Sequence, residues 1–62
     1  MKIIAVDNFA RESASDILIA ENLSIHWGKI ITKILNDRYS GDNSPVYFQC
    51  VDDDYKLYEF EP

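Results

Sequence analysis

The feature that most constrains this chain is a run of four apolar residues near its start, Ile3-Ile4-Ala5-Val6, closed by Asp7. Two isoleucines and a valine favour extended backbone, in which successive side chains point to opposite faces. A strand that is apolar at every position is apolar on both faces, so it has to be covered from both sides. The rest of the sequence offers one well-patterned helix, and the identity of the second cover therefore governs the reading of the whole chain.

Lys2 to Phe9 reads as the first strand. Ala10 to Ser15 is small and polar, as a hairpin loop is, and Asp16 to Leu23 reads as a second strand paired with the first. A helix from Arg11 to Leu23 is the competing reading, because Ala, Glu and Leu are good helix formers. Ser24 is the expected N-cap of a helix over Ile25 to Arg38, with Trp27, Ile30, Ile31, Ile34 and Leu35 at helical spacing. His26, Lys29, Lys33 and Asp37 collect on the opposite, solvated face, where Lys33 and Asp37 are four apart and can pair. Trp27 stands where Glu or Gln would complete a capping box. Gly28 weakens the first turn by about 1 kcal/mol relative to Ala, or admits a close neighbour. Ser40 to Pro45 holds the Gly, Asp, Asn, Ser and Pro that end a helix and turn the chain. Val46 to Val51 is the third strand. Beyond Asp52-Asp53-Asp54, Tyr55 to Phe60 is either a short fourth strand or a tail that lies across the domain.

The expected fold is α+β, β-β-α-β in order: a three-stranded antiparallel sheet of strand order 2-1-3 with one helix packed on one face. The central place of the first strand follows from its two apolar faces. One helix covers one face, which leaves three candidates for the other: the aromatic C-terminal segment folded back, a second copy of the chain, or a foreign partner.

Sixty-two residues make one domain, 1–62, ending in an acidic aromatic segment, 52–62. A chain this short buries only about 60% of the surface its unfolded form exposes, and small domains without staples commonly bury more in an oligomer or a complex. Cys50 is the only cysteine, so an internal disulfide is excluded and a reducing compartment, the cytoplasm, is the expected home. The opening apolar run is too short for a signal peptide core or a membrane span. Net charge is −5, which sets the chain against direct binding of nucleic acid. Most of that charge comes from Asp52, Asp53, Asp54, Glu59 and Glu61, opposed in residues 52–62 by Lys56 alone.

The conventional chemistry is thin. His26 and Cys50 are the only imidazole and thiol, and nothing in their spacing brings them together as a nucleophilic pair would require. Asp52-Asp53-Asp54 lacks the loop frame that converges oxygen ligands on calcium or magnesium, and reads as a solvated turn. With only Gly28 and Gly41 there is no glycine-rich phosphate loop. No enzyme activity, metal or cofactor is expected. Tyr47, Phe48, Tyr55, Tyr58 and Phe60, interleaved with carboxylates, are of a type enriched where protein surfaces meet.

Val6-Asp7-Asn8-Phe9, Arg11, Ser15-Asp16, Ile19-Ala20-Glu21-Asn22-Leu23-Ser24, Leu35-Asn36 and Asp53-Asp54-Tyr55-Lys56-Leu57-Tyr58 together resemble the pattern of small uncharacterised phage and bacterial β-β-α-β proteins. The resemblance implies the same fold and supplies no catalytic residue. The chain departs from it at Ile25-His26-Trp27-Gly28, where such proteins usually carry an acidic, alanine-containing helix start. The functional expectation is a non-enzymatic protein-binding module of phage origin, an inhibitor that docks on a basic surface of a host nucleic-acid-handling protein. Its contact residues would be Asp52, Asp53, Asp54, Tyr55, Tyr58, Glu59, Phe60, Glu61 and Tyr47, presenting charge as a nucleic-acid mimic does. The alternative is a structural homodimerisation module with no host target, its contacts at Ile3, Ala5 and Tyr47.

Overall fold

The computed structural model describes residues 1–9, 11, 13–41 and 43–59. Strand β1 (Lys2–Asp7) is central, with β2 (Ile17–Ala20) and β3 (Val46–Val51) antiparallel on either side, giving the order β2-β1-β3; helix α1 (Ile25–Tyr39) joins β2 to β3. The β-β-α-β order and the strand order are those expected from sequence. The competing helix over residues 11–23 does not form, because the apolar positions Ile17, Leu18 and Ile19 complete a pairing with β1.

Register assigns the faces. Ile3 lies opposite Cys50 and Ala5 opposite Phe48, so these four share one face with α1. Ile4 lies opposite Gln49 and Leu18, and Val6 opposite Tyr47, on the other face. Among the described residues, Ile3, Ile4 and Ala5 are the buried hydrophobic ones, at 0%, 0% and 3% exposure, as expected for a strand covered on both sides.

Several local devices fix α1. Ser24 caps it by accepting from the Trp27 N–H at 3.3 Å, and Asn22, with φ of 62°, supplies the left-handed turn that leads in from β2. Gly28 is the only buried residue of the helix; a Cβ there would stand 2.8 Å from Cys50 Sγ. The absence of a side chain is what allows the helix to sit down on β3. Near the other end, the Asn36 side chain donates to Phe48 O at 2.9 Å and accepts from the Phe48 N–H at 2.8 Å. Asn36 thereby ties α1 to β3 and satisfies two groups on that strand's outer edge. The loop back into β3 is held by Asn8, whose side chain donates to Gly41 O and Ser44 O and whose backbone N–H donates to Pro45 O. On leaving β1 the chain turns around Asp7, which accepts from the Arg11 backbone and guanidinium. Arg11 lies over the Phe9 ring at 5.5 Å and holds the Asp7 carboxyl below its usual range.

One of the two readings of the C-terminal segment falls, and one expectation about the helix needs correction. Residues 55–59 form no fourth strand; they lie across the second sheet face as a tail, and Phe60 falls outside the described residues. The apolar helix positions also do not all face the core. Ile31 and Leu35 are half-buried against the sheet, while Trp27, Ile30 and Ile34 are 59%, 37% and 51% exposed. At 100° per residue these six apolar or small positions, Gly28 included, span about 160° of the helix circumference, wider than the roughly 100° stripe that faces a core.

The contact at Gly28 yields a sign-reversing test. Gly28→Ala should destabilise the protein by about 1–2 kcal/mol, because overpacking against Cys50 outweighs the gain in helix propensity. In a Cys50→Ala background the same change should stabilise. Urea unfolding of the four proteins of this cycle reads both signs.

Candidate interaction surfaces

The C-terminal segment is pinned to the sheet. Asp52 to Tyr55 make a turn closed by the Tyr55 N–H donating to Asp52 O at 3.0 Å, and Lys2 Nζ donates to Tyr55 O at 3.2 Å. Asp16, just before β2, receives the far end: its N–H donates to Tyr58 O at 2.8 Å, and its Oδ2 accepts from the Tyr58 N–H at 2.9 Å and the Tyr55 hydroxyl at 3.4 Å. The tail thus crosses from the end of β3, over β1, to the start of β2. It supplies the second cover that β1 requires and explains the full burial of Ile4. Of the three candidate covers for this face, the chain's own C-terminal segment is therefore the one that occupies it.

The outer side of that cover is acidic and aromatic. Asp52, Asp53, Asp54 and Glu59 are exposed, with Tyr55 38% and Tyr58 46% exposed between them. Asp53 forms an ion pair with the Met1 nitrogen at 2.9 Å. Tyr47 is half-buried on the face beneath the tail. Phe60 and Glu61 lie outside the described residues. Loss of solvent around the Tyr55 hydroxyl, followed by the charge and hydrogen bond of Asp16, raises the phenol above its usual range.

A second surface lies on the other side of the sheet. α1 sits over β3 and β1 and leaves β2 without a helix above it. Ile17, opposite Ala5, points to the helix side of β2, and Ile19 sits at the register irregularity beyond Leu18; they are 55% and 46% exposed. The irregular register at Ile3/Ile4 allows Ala20 to share that side. Trp27, Ile30 and Ile34 run along the helix beside this bare strand. Gly28 is level with Cys50 and Asn36 with Phe48, so Trp27 stands at the Ile19 end and Ile34 at the Ile17 end. Sequence reasoning missed this surface because it assigned every apolar helix position to one core stripe. The breadth of the apolar arc was the available signal.

The reactive side chains are far from one another. Cys50 is half-buried with its Sγ under Gly28, whereas His26 is exposed and packs edge-on against Trp27 at 5.3 Å. Ile3 and Ala5 are sealed beneath α1, so they cannot be the dimer contacts expected from sequence. Among the described residues there is no pocket, no metal-holding cluster of acidic, histidine and cysteine side chains, and no helix long and apolar enough to cross a membrane.

Asp16 should control the tail. Asp16→Ala, by removing the acceptor of the exposed Tyr58 N–H, should cost about 0.5–1.5 kcal/mol and speed proteolysis after residue 52, read by mass spectrometry of limited digests. Tyr55 adds a pH signature. A phenol whose pKa is raised by folding contributes stability that is present below the unfolded value of 10.0 and lost as pH rises through the folded value. The urea midpoint should therefore fall more steeply above pH 10 in the wild type than in Tyr55→Phe. Comparison of the sequence and the fold with family models, curated proteins and solved structures gives no match, so the surfaces themselves carry the functional reading.

Proposed function

We propose that this protein is a non-catalytic protein-binding module whose docking surface is the exposed apolar side of α1 together with β2. The observation that carries the reading is the exposure of Trp27, Ile30 and Ile34 beside Ile17 and Ile19 in so small a domain. These five side chains leave open on the order of 500 Å² of apolar surface, within the range of about 300–600 Å² that marks the largest patch on a monomer and is often functional. Burying it at about 25 cal/mol per Å² is worth on the order of 10 kcal/mol before the costs of association, comparable with the whole stability of a domain. The lone thiol, half-buried at Cys50, fits a cytoplasmic setting.

A second reading keeps the acidic strip as a docking site for a basic, nucleic-acid-handling protein, which the module would occupy and inhibit. Its support is that the tail is fixed by Asp16 and Lys2 while Asp52, Asp54 and Glu59 stay exposed, so the charge is presented on a set frame. Such binding is steered by charge and weakens with salt.

Photo-crosslinking separates the two. A benzoylphenylalanine in place of Ile34 should attach the protein to a second polypeptide chain in lysate at both low and high ionic strength. The same probe in place of Tyr58 should do so only at low ionic strength if the acidic strip is used. No interchain product from the Ile34 position would remove the leading reading.

A further inference from the structure

Two donors of the C-terminal segment converge on one atom. Asp16 Oδ2 accepts from the Tyr58 N–H at 2.9 Å and from the Tyr55 hydroxyl at 3.4 Å. Tyr55 closes the turn that begins at Asp52, and Tyr58 lies next to the last described residue, so a single carboxylate oxygen ties down both parts of the segment. Lys2 Nζ on Tyr55 O and the Asp16 N–H on Tyr58 O add one bond each. Among the described residues, no strand ladder joins 52–59 to the sheet. The pairings of β1 with β2 and β3, and the anchors of α1 at Gly28 and Asn36, involve no residue of the segment.

We propose that this arrangement is a latch operated by charge: an anionic group on the Tyr55 hydroxyl oxygen, as in a phosphate ester, releases residues 52–59 as a unit and uncovers the sheet face beneath them. The inference is independent of the docking surface proposed above, which lies on the other side of the sheet. The neutral phenol donates its proton to Asp16. An esterified oxygen has no proton to donate, and the ester's charge of about −1.5 to −2 faces the carboxylate across the same gap. The groups around it are mostly of one sign: Asp16 from the start of β2 and Asp52, Asp53 and Asp54 from the turn, against Lys2 of β1, whose Nζ is bonded to Tyr55 O, and the exposed Lys56. Tyr47 of β3 is the remaining titratable neighbour, and loss of solvent followed by the Asp16 charge already disfavours the Tyr55 phenolate.

Tyr55 is 38% exposed in a segment held by few bonds, so it can be presented to a phosphoryl-transferring enzyme. In that reaction the phenol oxygen takes the terminal phosphoryl group of a nucleoside triphosphate, the phenolic proton passes to a base of the enzyme, and the nucleoside diphosphate leaves. Release uncovers Ile4, with Val6, Leu18 and Tyr47 around it, and takes Asp52, Asp54 and Glu59 off their set frame. A closed acidic face is exchanged for an open apolar one.

The full chain, at 62 residues, is within reach of chemical synthesis. Hydrogen exchange of the chain with and without phosphotyrosine at position 55, in the native sequence and in Asp16→Asn, tests the latch. Phosphorylation should lower the protection of the Tyr58 and Asp16 amides by roughly tenfold or more, while the β1 and β3 amides and the helical circular dichroism stay unchanged. Asp16→Asn keeps an oxygen for the Tyr58 N–H without the charge, so the loss on phosphorylation should be several-fold smaller there. Tyr55→Phe, which removes the hydroxyl and adds no charge, should keep most of the protection. If Asp16→Asn by itself frees the segment, the phosphorylated native chain read at about pH 5 and pH 7 replaces it: protection factors should fall as the ester passes from monoanion to dianion near pH 6. Segment amides that stay protected in the phosphorylated chain overturn the inference. So does an equal loss in Asp16→Asn, which would assign the effect to bulk, protection that is flat across the two pH values, or a loss shared by β1, which would mean unfolding of the whole chain.

Discussion

Everything in this structure follows from the need to cover β1 twice. Ile3 and Ala5 point one way and Ile4 the other, and among the described residues these three are the buried hydrophobic core. Burying an isoleucine contributes roughly 1.5–3 kcal/mol, so a core of this size needs both covers held firmly. On one side, the absence of a side chain at Gly28 and the paired hydrogen bonds of Asn36 bring α1 down onto β3. On the other side, Asp16 and Lys2 grip the backbone of the returning C-terminal segment.

The exposed apolar surface is a geometric consequence of the same economy. A helix with its side chains is about 10–12 Å across and strands are about 4.8 Å apart, so one helix shelters about two strands of a three-stranded sheet. Asn36 anchors α1 at the outer edge of β3, which fixes the two sheltered strands as β3 and β1. β2 is left bare, and its isoleucines, together with the unused part of the helix's apolar arc, become surface. The anchor that completes the monomer's core is thus also what creates its docking surface.

The two surfaces differ in physical character and lie on opposite sides of the sheet. The α1–β2 side is mainly apolar, with Trp27, Ile30, Ile34, Ile17 and Ile19 exposed, suited to close packing that excludes water. The tail side is acidic and aromatic, suited to association that salt screens. A module built this way can pack through one side while presenting the other.

The sequence by itself determined the element order, the central place of β1, the Ser24 cap, the wet face at His26, Lys29, Lys33 and Asp37, and the need for a second cover. These are local or nearly local properties, written in two- and 3.6-residue periods and in cap chemistry. It left open what the second cover is, because a carboxylate before β2 gripping a backbone about forty residues away has no periodic signature. It also placed Trp27, Ile30 and Ile34 in the core, since hydropathy marks a residue as apolar without saying which neighbour it meets. Only the tertiary structure decided those points, because the lateral position of α1 on the sheet depends on Gly28 meeting Cys50 and Asn36 meeting Phe48, contacts between segments that no spacing along the chain encodes.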